Sequence, residues 1–230
     1  MTEAALIVGA GSGLSAALAR LFAKEGMRVA LAARDAKKLN PLLKETGASG
    51  YACDATKRED VDKLFASFAR EIGPPDIVVY NAGYRTRGSI TEIDPEEVLK
   101  TLMASAYGGF LVTQLAAKAM LARGHGTILF TGASASVKGY ARSSPFAMGK
   151  FALRGLAQSL ARELQPQNIH VAHVVIDGGI GRANDPRAAE RGADGMLEPD
   201  AIARTYLELH RQHRSAWAWE IALRPWRENF

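Results

Sequence analysis

Lys150 follows Phe146 by four residues in Phe146-Ala147-Met148-Gly149-Lys150, a spacing that puts both side chains on one face of a helix. Lys150 offers an ammonium that can bind hydroxyls, whereas the phenyl ring of Phe146 has no proton to give. A second constellation lies near the start, in Val8-Gly9-Ala10-Gly11-Ser12-Gly13-Leu14-Ser15. Glycines at such a turn permit positive φ and let the backbone approach a pyrophosphate, while the N–H groups of a following helix attract its charge. Arg34, after Ala32-Ala33, presents a fork of donors suited to phosphate, and no acid stands at Ala33 to oppose one. The glycine turn and Arg34 point to a bound dinucleotide, and Lys150 to a cation able to hold hydroxyls.

Positioning those groups requires alternating elements. Short β-branched apolar runs at Ala5–Val8, Arg28–Ala32, Gly50–Cys53, Ile77–Tyr80, Thr127–Phe130, His170–Ile176 and Ala216–Leu223 predict seven strands. Amphipathic stretches at Ser15–Glu25, Arg58–Ile72, Pro95–Arg123 and Phe146–Leu164 predict helices between them, Asp94 capping the one that Pro95 opens. The alternation predicts an α/β fold: a single doubly wound Rossmann domain over residues 1–230. Its seven-stranded parallel sheet has the order 3-2-1-4-5-6-7, with helices on both faces. Segment Gly178–Met196 is the poorest in regular pattern and is expected to be a substrate-side loop or lid.

With 230 residues, 47% hydrophobic and 23% charged, the chain suits one sizeable domain. The net charge of +5 is dispersed, which argues against a nucleic-acid partner. No apolar stretch is long enough to span a membrane, and the start lacks the basic region of a signal peptide. A single cysteine, Cys53, fits a reducing cytoplasm. His170, His173, His210 and His213 lack carboxylate or thiol partners at ligand spacing, so no metal is expected.

Several ordered motifs across nearly the whole chain resemble those of the short-chain dehydrogenase/reductases. The loop Gly9-x-x-x-Gly13 is similar to the family's Gly-x-x-x-Gly-x-Gly, with Ser15 in place of the last glycine. Cys53-Asp54-Ala55 resembles the adenine-contacting end of strand three, and Asn81-Ala82-Gly83 the Asn-Ala-Gly beside the adenosine ribose. The resemblance implies cofactor contacts from Gly9, Gly11, Ser12, Gly13, Leu14, Arg34, Asp54, Ala55, Asn81, Ala82, Gly83, Lys150 and Ile180. Arg34 favours NADP over NAD, while Ser12 takes a position that is often arginine in NADP-preferring members.

The family's hydride transfer to or from a carbonyl or alcohol normally uses Asn, Ser, Tyr and Lys. Those positions here carry Ser105, Ala133, Phe146 and Lys150. Losing the phenol removes an acid worth about 10² to 10⁴ in rate, and losing the serine an oxyanion donor worth about 10² to 10³. Ser134, Tyr140, Tyr84, Ser143, Ser144 and Asp177 are the polar residues near enough in sequence to substitute, Ser134 and Tyr140 foremost. The family's Pro-Gly after strand six reads Ile176-Asp177-Gly178-Gly179-Ile180. The expectation is an NADP(H)-binding oxidoreductase of non-standard active site, acting on a small carbonyl or alcohol. The alternatives are a catalytically silent dinucleotide-binding sensor or regulator, and a lyase or isomerase on the same scaffold. By the same resemblance, the small residues Ala104–Ala106, Gly108 and Gly109 and the last strand point to a homodimer or homotetramer.

Overall fold

The computed structural model describes residues 2–182 and 185–227. Its centre is β1 (Ala4–Val8), whose five residues are all buried, flanked by β2 (Arg28–Ala33) and β4 (Ile77–Tyr80). β3 (Ser49–Ala52) closes one edge; β5 (Gly126–Thr131), β6 (Ile169–Ile176) and β7 (Glu220–Leu223) extend the other. All pairs are parallel in the order β3-β2-β1-β4-β5-β6-β7, as the alternation predicted. Strands covered on both faces carry unbroken apolar runs such as Ile77-Val78-Val79-Tyr80, whereas β3 at the edge alternates half-buried and exposed residues.

Successive β1 side chains serve opposite layers. Ala4, Leu6 and Val8 pack with α3 (Arg58–Glu71), α5 (Gly108–Arg123) and α6 (Ser144–Leu164), through Phe68, Val112 and Leu153 among others. Ala5 and Ile7 pack with α1 (Leu14–Lys24), α2 (Asn40–Thr46) and α8 (Pro199–Arg211), through Leu18, Phe22 and Tyr206. On α6, Leu153, Ala157, Ala161 and Leu164 recur at helical spacing and form its buried stripe.

Two expectations need correction. The single helix expected over Pro95–Arg123 is divided: α4 (Pro95–Leu102) gives way to a π-helical turn at Met103–Tyr107 before α5 begins. Close approach explains the division. A Cβ on Gly108 would lie 2.5 Å from the Tyr80 hydroxyl, and one on Gly109 2.8 Å from Leu153. The Tyr80 hydroxyl donates to the carbonyl of Ala104, 2.6 Å away inside the widened turn. The expected cap does form, the Asp94 side chain accepting from the Glu96 N–H.

The last strand is shorter than Ala216–Leu223. A 3₁₀ turn at Arg214–Ala216, capped by the His213 side chain, keeps the chain from extending until Glu220 pairs with His173. Trp217 therefore lies outside the strand, stacked flat on His170 with centroids 4.8 Å apart, and Trp219 lies beneath the Arg154 guanidinium. Within Gly178–Met196, α7 (Pro186–Arg191) supplies six helical residues capped by Asp185, while Ala183 and Asn184 fall outside the described residues.

Candidate active site

The carboxyl ends of β1, β2 and β4 open onto a cleft of about 1160 Å³. At its floor Gly9 takes φ +87°, and the N–H groups of Gly9 and Ala10 both donate to the Ala32 carbonyl at 2.9 Å. A Cβ on Gly9 would lie 2.3 Å from the Ala82 nitrogen, so the turn is pressed against the end of β4. Gly11 and Gly13 face open space instead, with nothing within 4 Å of a Cβ. Behind them α1 starts without any side-chain cap, and while the Ala16 N–H turns back to the Gly13 carbonyl, those of Leu14 and Ser15 are left for an anion. An elongated, doubly anionic dinucleotide fits this cradle.

Gly9, Gly11, Ser12, Arg34, Asp54, Ala55, Asn81, Ala82 and Gly83 all line the cleft. Gly13, Leu14, Lys150 and Ile180 do not. Gly13 serves as the N-cap of α1, and the Leu14 side chain is buried in the core. Ser15 does more than keep the packing close. Its hydroxyl donates to the Gly9 carbonyl at 3.1 Å and accepts from the Asn81 amide at 2.7 Å, tying loop to strand end. The Asp54 carboxylate accepts from the Thr56 N–H and hydroxyl. Burial pushes its pKa up, but those bonds, with Lys57 and Arg34, hold it below the usual range. Cys53 is an inert thiol, pushed up to about 12 by burial and then by Asp60 and Asp54.

The part of the cleft beside β2 and α1 is basic. Arg34, Lys38 and Arg20 line it. Arg20 is taken by Glu45 at 2.6 Å and Lys38 reaches Asp35 at 3.6 Å, whereas Arg34 has no ion-pair partner among the described residues. Lys38 and Arg20 are contributions that motif reading missed, because they come from helical segments outside any motif.

The candidate reacting residues are brought together by α6 and the π-helical turn. Pro145 opens α6, Phe146 follows, and Lys150 stands one turn further on. The Lys150 side chain is buried; its Nζ donates to the Thr131 carbonyl at 2.8 Å, and burial pulls its pKa down to about 8. Ser105, in the π-helical turn, has a buried hydroxyl without a hydrogen-bond partner. A Cβ on Gly83 would lie 3.8 Å from Lys150 Nζ and 3.9 Å from Ser105 Oγ, so both buried polar tips pack close behind Gly83.

The substitute donors are placed less well. Ser134 begins a 3₁₀ turn (Ser134–Ser136), where its carbonyl accepts from Val137 and Lys138, and Tyr140 is exposed. Neither lines the cleft. Ala133 has no hydroxyl, and its N–H donates to Ser136 Oγ at 3.1 Å. Tyr84 does line the cleft, but its hydroxyl is committed to Glu97 at 2.5 Å, which raises its pKa. Asp177 is held between two cations: its buried carboxylate lies 3.5 Å from both Lys138 and Arg224. Ile180 forms a bridge with Leu197. One neighbour escaped sequence reading altogether, the Arg85 guanidinium, which sits 4.9 Å above the Phe146 ring.

Among the described residues no cluster of three metal-ligating side chains occurs, and no helix is long and apolar enough to cross a membrane.

The family model for short chain dehydrogenase matches residues 3–177. A short-chain dehydrogenase from Rhodopseudomonas palustris superposes with a TM-score of 0.83 at 34% identity, over 97% of this chain and 99% of the other. A variant of actinorhodin polyketide ketoreductase, solved with NADPH, gives a TM-score of 0.88 at 27% identity, covering 97% and 96%. The 3-oxoacyl-[acyl-carrier-protein] reductase MabA of Mycobacterium avium is 29% identical over 198 residues, 86% of this chain and 75% of that protein.

Proposed function

The chain belongs to the short-chain dehydrogenase/reductase family, and we propose that it is an NADP(H)-binding oxidoreductase that reduces a small carbonyl compound, with Lys150 as its proton donor. The observation that carries this reading is a dinucleotide-shaped cleft behind whose Gly83 lining two buried polar tips, Lys150 Nζ and Ser105 Oγ, come together. Gly9, Gly11 and the open start of α1 would hold the pyrophosphate, and Arg34 with Lys38 the 2′-phosphate. The NADPH-bound ketoreductase of the same fold supports that choice of cofactor.

When bound, the reduced nicotinamide supplies the hydride that adds to the carbonyl carbon. The oxygen then needs a proton, and Phe146 offers none. The buried ammonium of Lys150, pulled down to about 8, is charged at neutral pH yet gives up its proton more readily than a solvated lysine. Its N–H bond breaks as the alcohol O–H forms, and the neutral amine recovers a proton from solvent. The Ser105 hydroxyl has an unused donor and acceptor beside that path.

NADPH titration followed by NADPH oxidation over a panel of carbonyls tests the reading. NADPH is expected to bind more tightly than NADH. Lys150→Met is expected to bind cofactor and lose turnover by about 10² or more. Tight binding without turnover in the native protein, with turnover gained by Phe146→Tyr combined with Ala133→Ser, would instead establish a silent cofactor-binding protein.

A further inference from the structure

The substrate end of the site carries unbalanced positive charge. Arg85 follows the Asn81-Ala82-Gly83 strand end by two residues and has no ion-pair or hydrogen-bond partner among the described residues. Its guanidinium lies instead on the Phe146 ring, in the first turn of α6 and one turn before Lys150. A guanidinium laid on an aromatic face is held in place while its edge of N–H donors stays open for a planar anion. Partial burial, then Arg87 and Arg187, hold Arg85 below the ordinary guanidinium range, and no carboxylate offsets them. Arg187 is already neutralised by Asp185 and leans on the Ile180 carbonyl. Arg87 has no ion-pair partner among the described residues.

Resting on the oxidoreductase reading, we propose that the substrate is an anionic carbonyl compound whose carboxylate or phosphate is gripped by Arg85, with Phe146 as the shelf that aims the guanidinium. Gly83 lies two residues before Arg85, and Lys150 Nζ faces it. Arg85 on the Phe146 ring and Lys150 one turn further along α6 therefore put a cation and the proposed proton donor at neighbouring turns of one helix. The phenyl ring is no mere vacancy filler on this account: it trades a proton donor for a cation platform, and specificity for a charged substrate comes with the trade.

The test compares charged and neutral partners of one shape. Acetoacetate, pyruvate and phenylpyruvate are paired with their amides, and dihydroxyacetone phosphate with dihydroxyacetone. Binding is followed by ligand-observed NMR with and without NADPH. At least one anion is expected to bind about 10- to 100-fold tighter than its neutral partner, the range for a charge-assisted pair. Arg85→Gln is expected to erase the preference with NADPH affinity unchanged. Phe146→Leu should cut it several-fold, and Phe146→Tyr, which keeps the shelf, should retain it. Which pair responds separates carboxylate from phosphate. No preference in any pair, or one that survives Arg85→Gln, overturns the proposal. Failure of NADPH to bind, by contrast, sinks the oxidoreductase reading and leaves the anion preference to be judged on its own arm.

Discussion

Single side chains decide the chemistry. Arg34, just past β2, has no ion-pair partner among the described residues, whereas two other cations there are partly neutralised, so in the proposed function the discrimination of a 2′-phosphate falls to it. Arg34→Gln should weaken NADPH binding about 10-fold and NADH binding little, measured by fluorescence titration of both. Lys150 makes a prediction through its proton. The unfolded lysine holds its proton to about pH 10.5, whereas the folded one, pulled down by burial, releases it near 8. Between those values the unfolded state binds more protons, so this group's contribution to stability rises with pH across the window. Chemical unfolding from pH 7 to 10.5 should show that rise in the native protein and a flat profile in Lys150→Met. Reduction rates should move the opposite way, falling above pH 8 as the donor is lost.

At the scale of the element, the site depends on backbones brought closer than side chains allow. Gly9 combines positive φ with contact against Ala82. Gly9→Ala would add about 1–3 kcal/mol of backbone strain to a direct overlap. A lowered Tm with loss of NADPH binding is the expected result, and an unchanged Tm would show that the turn relaxes freely. The π-helical turn is held differently, by the Tyr80 hydroxyl on Ala104 and by Gly108 against Tyr80. Tyr80→Phe should cost about 1 kcal/mol in denaturant unfolding, since the carbonyl loses its partner inside a buried turn. Because Ser105 lies in that same turn, turnover should drop as well, without a matching change in NADPH affinity.

Over the whole molecule, an imidazole kept neutral by burial between β6 and the edge strand sets the acid limit. His173 on β6 is fully enclosed, with Nδ1 3.0 Å from Glu220 and Nε2 without a partner. Burial drives its pKa down to about 4, despite the pull of Glu220. The unfolded chain therefore takes up a proton near pH 6.5 that the folded chain refuses until about 4. Stability should fall as pH drops through that window, by about 3 kcal/mol in all. His173→Asn should flatten this limb in urea unfolding at stepped pH.

How far such features could be read in advance follows from their range. Strand order, both helical layers and the glycine turn were legible because period and punctuation are local. The break at Met103–Tyr107 was not, since it arises from Tyr80 and Leu153, far off in sequence. Arg85 on Phe146 was hidden likewise: nothing in either segment announces a contact across about sixty positions of chain. Asp177 was visible as an oddity, but its two cations come from Lys138 and Arg224, on separate segments.

The flat pairing of Trp217 with His170 equips the chain with its own optical gauge. The indole is parallel to the imidazole within 1° and donates its N–H to Gln212, so its emission is tied to the β6–β7 margin. Protonating or separating that imidazole would change the quenching of one fluorophore, while Trp226, exposed at the tail, reports solvent throughout. Emission at Trp217, isolated by Trp219→Phe and Trp226→Phe, would therefore time the opening of this margin against loss of the whole fold.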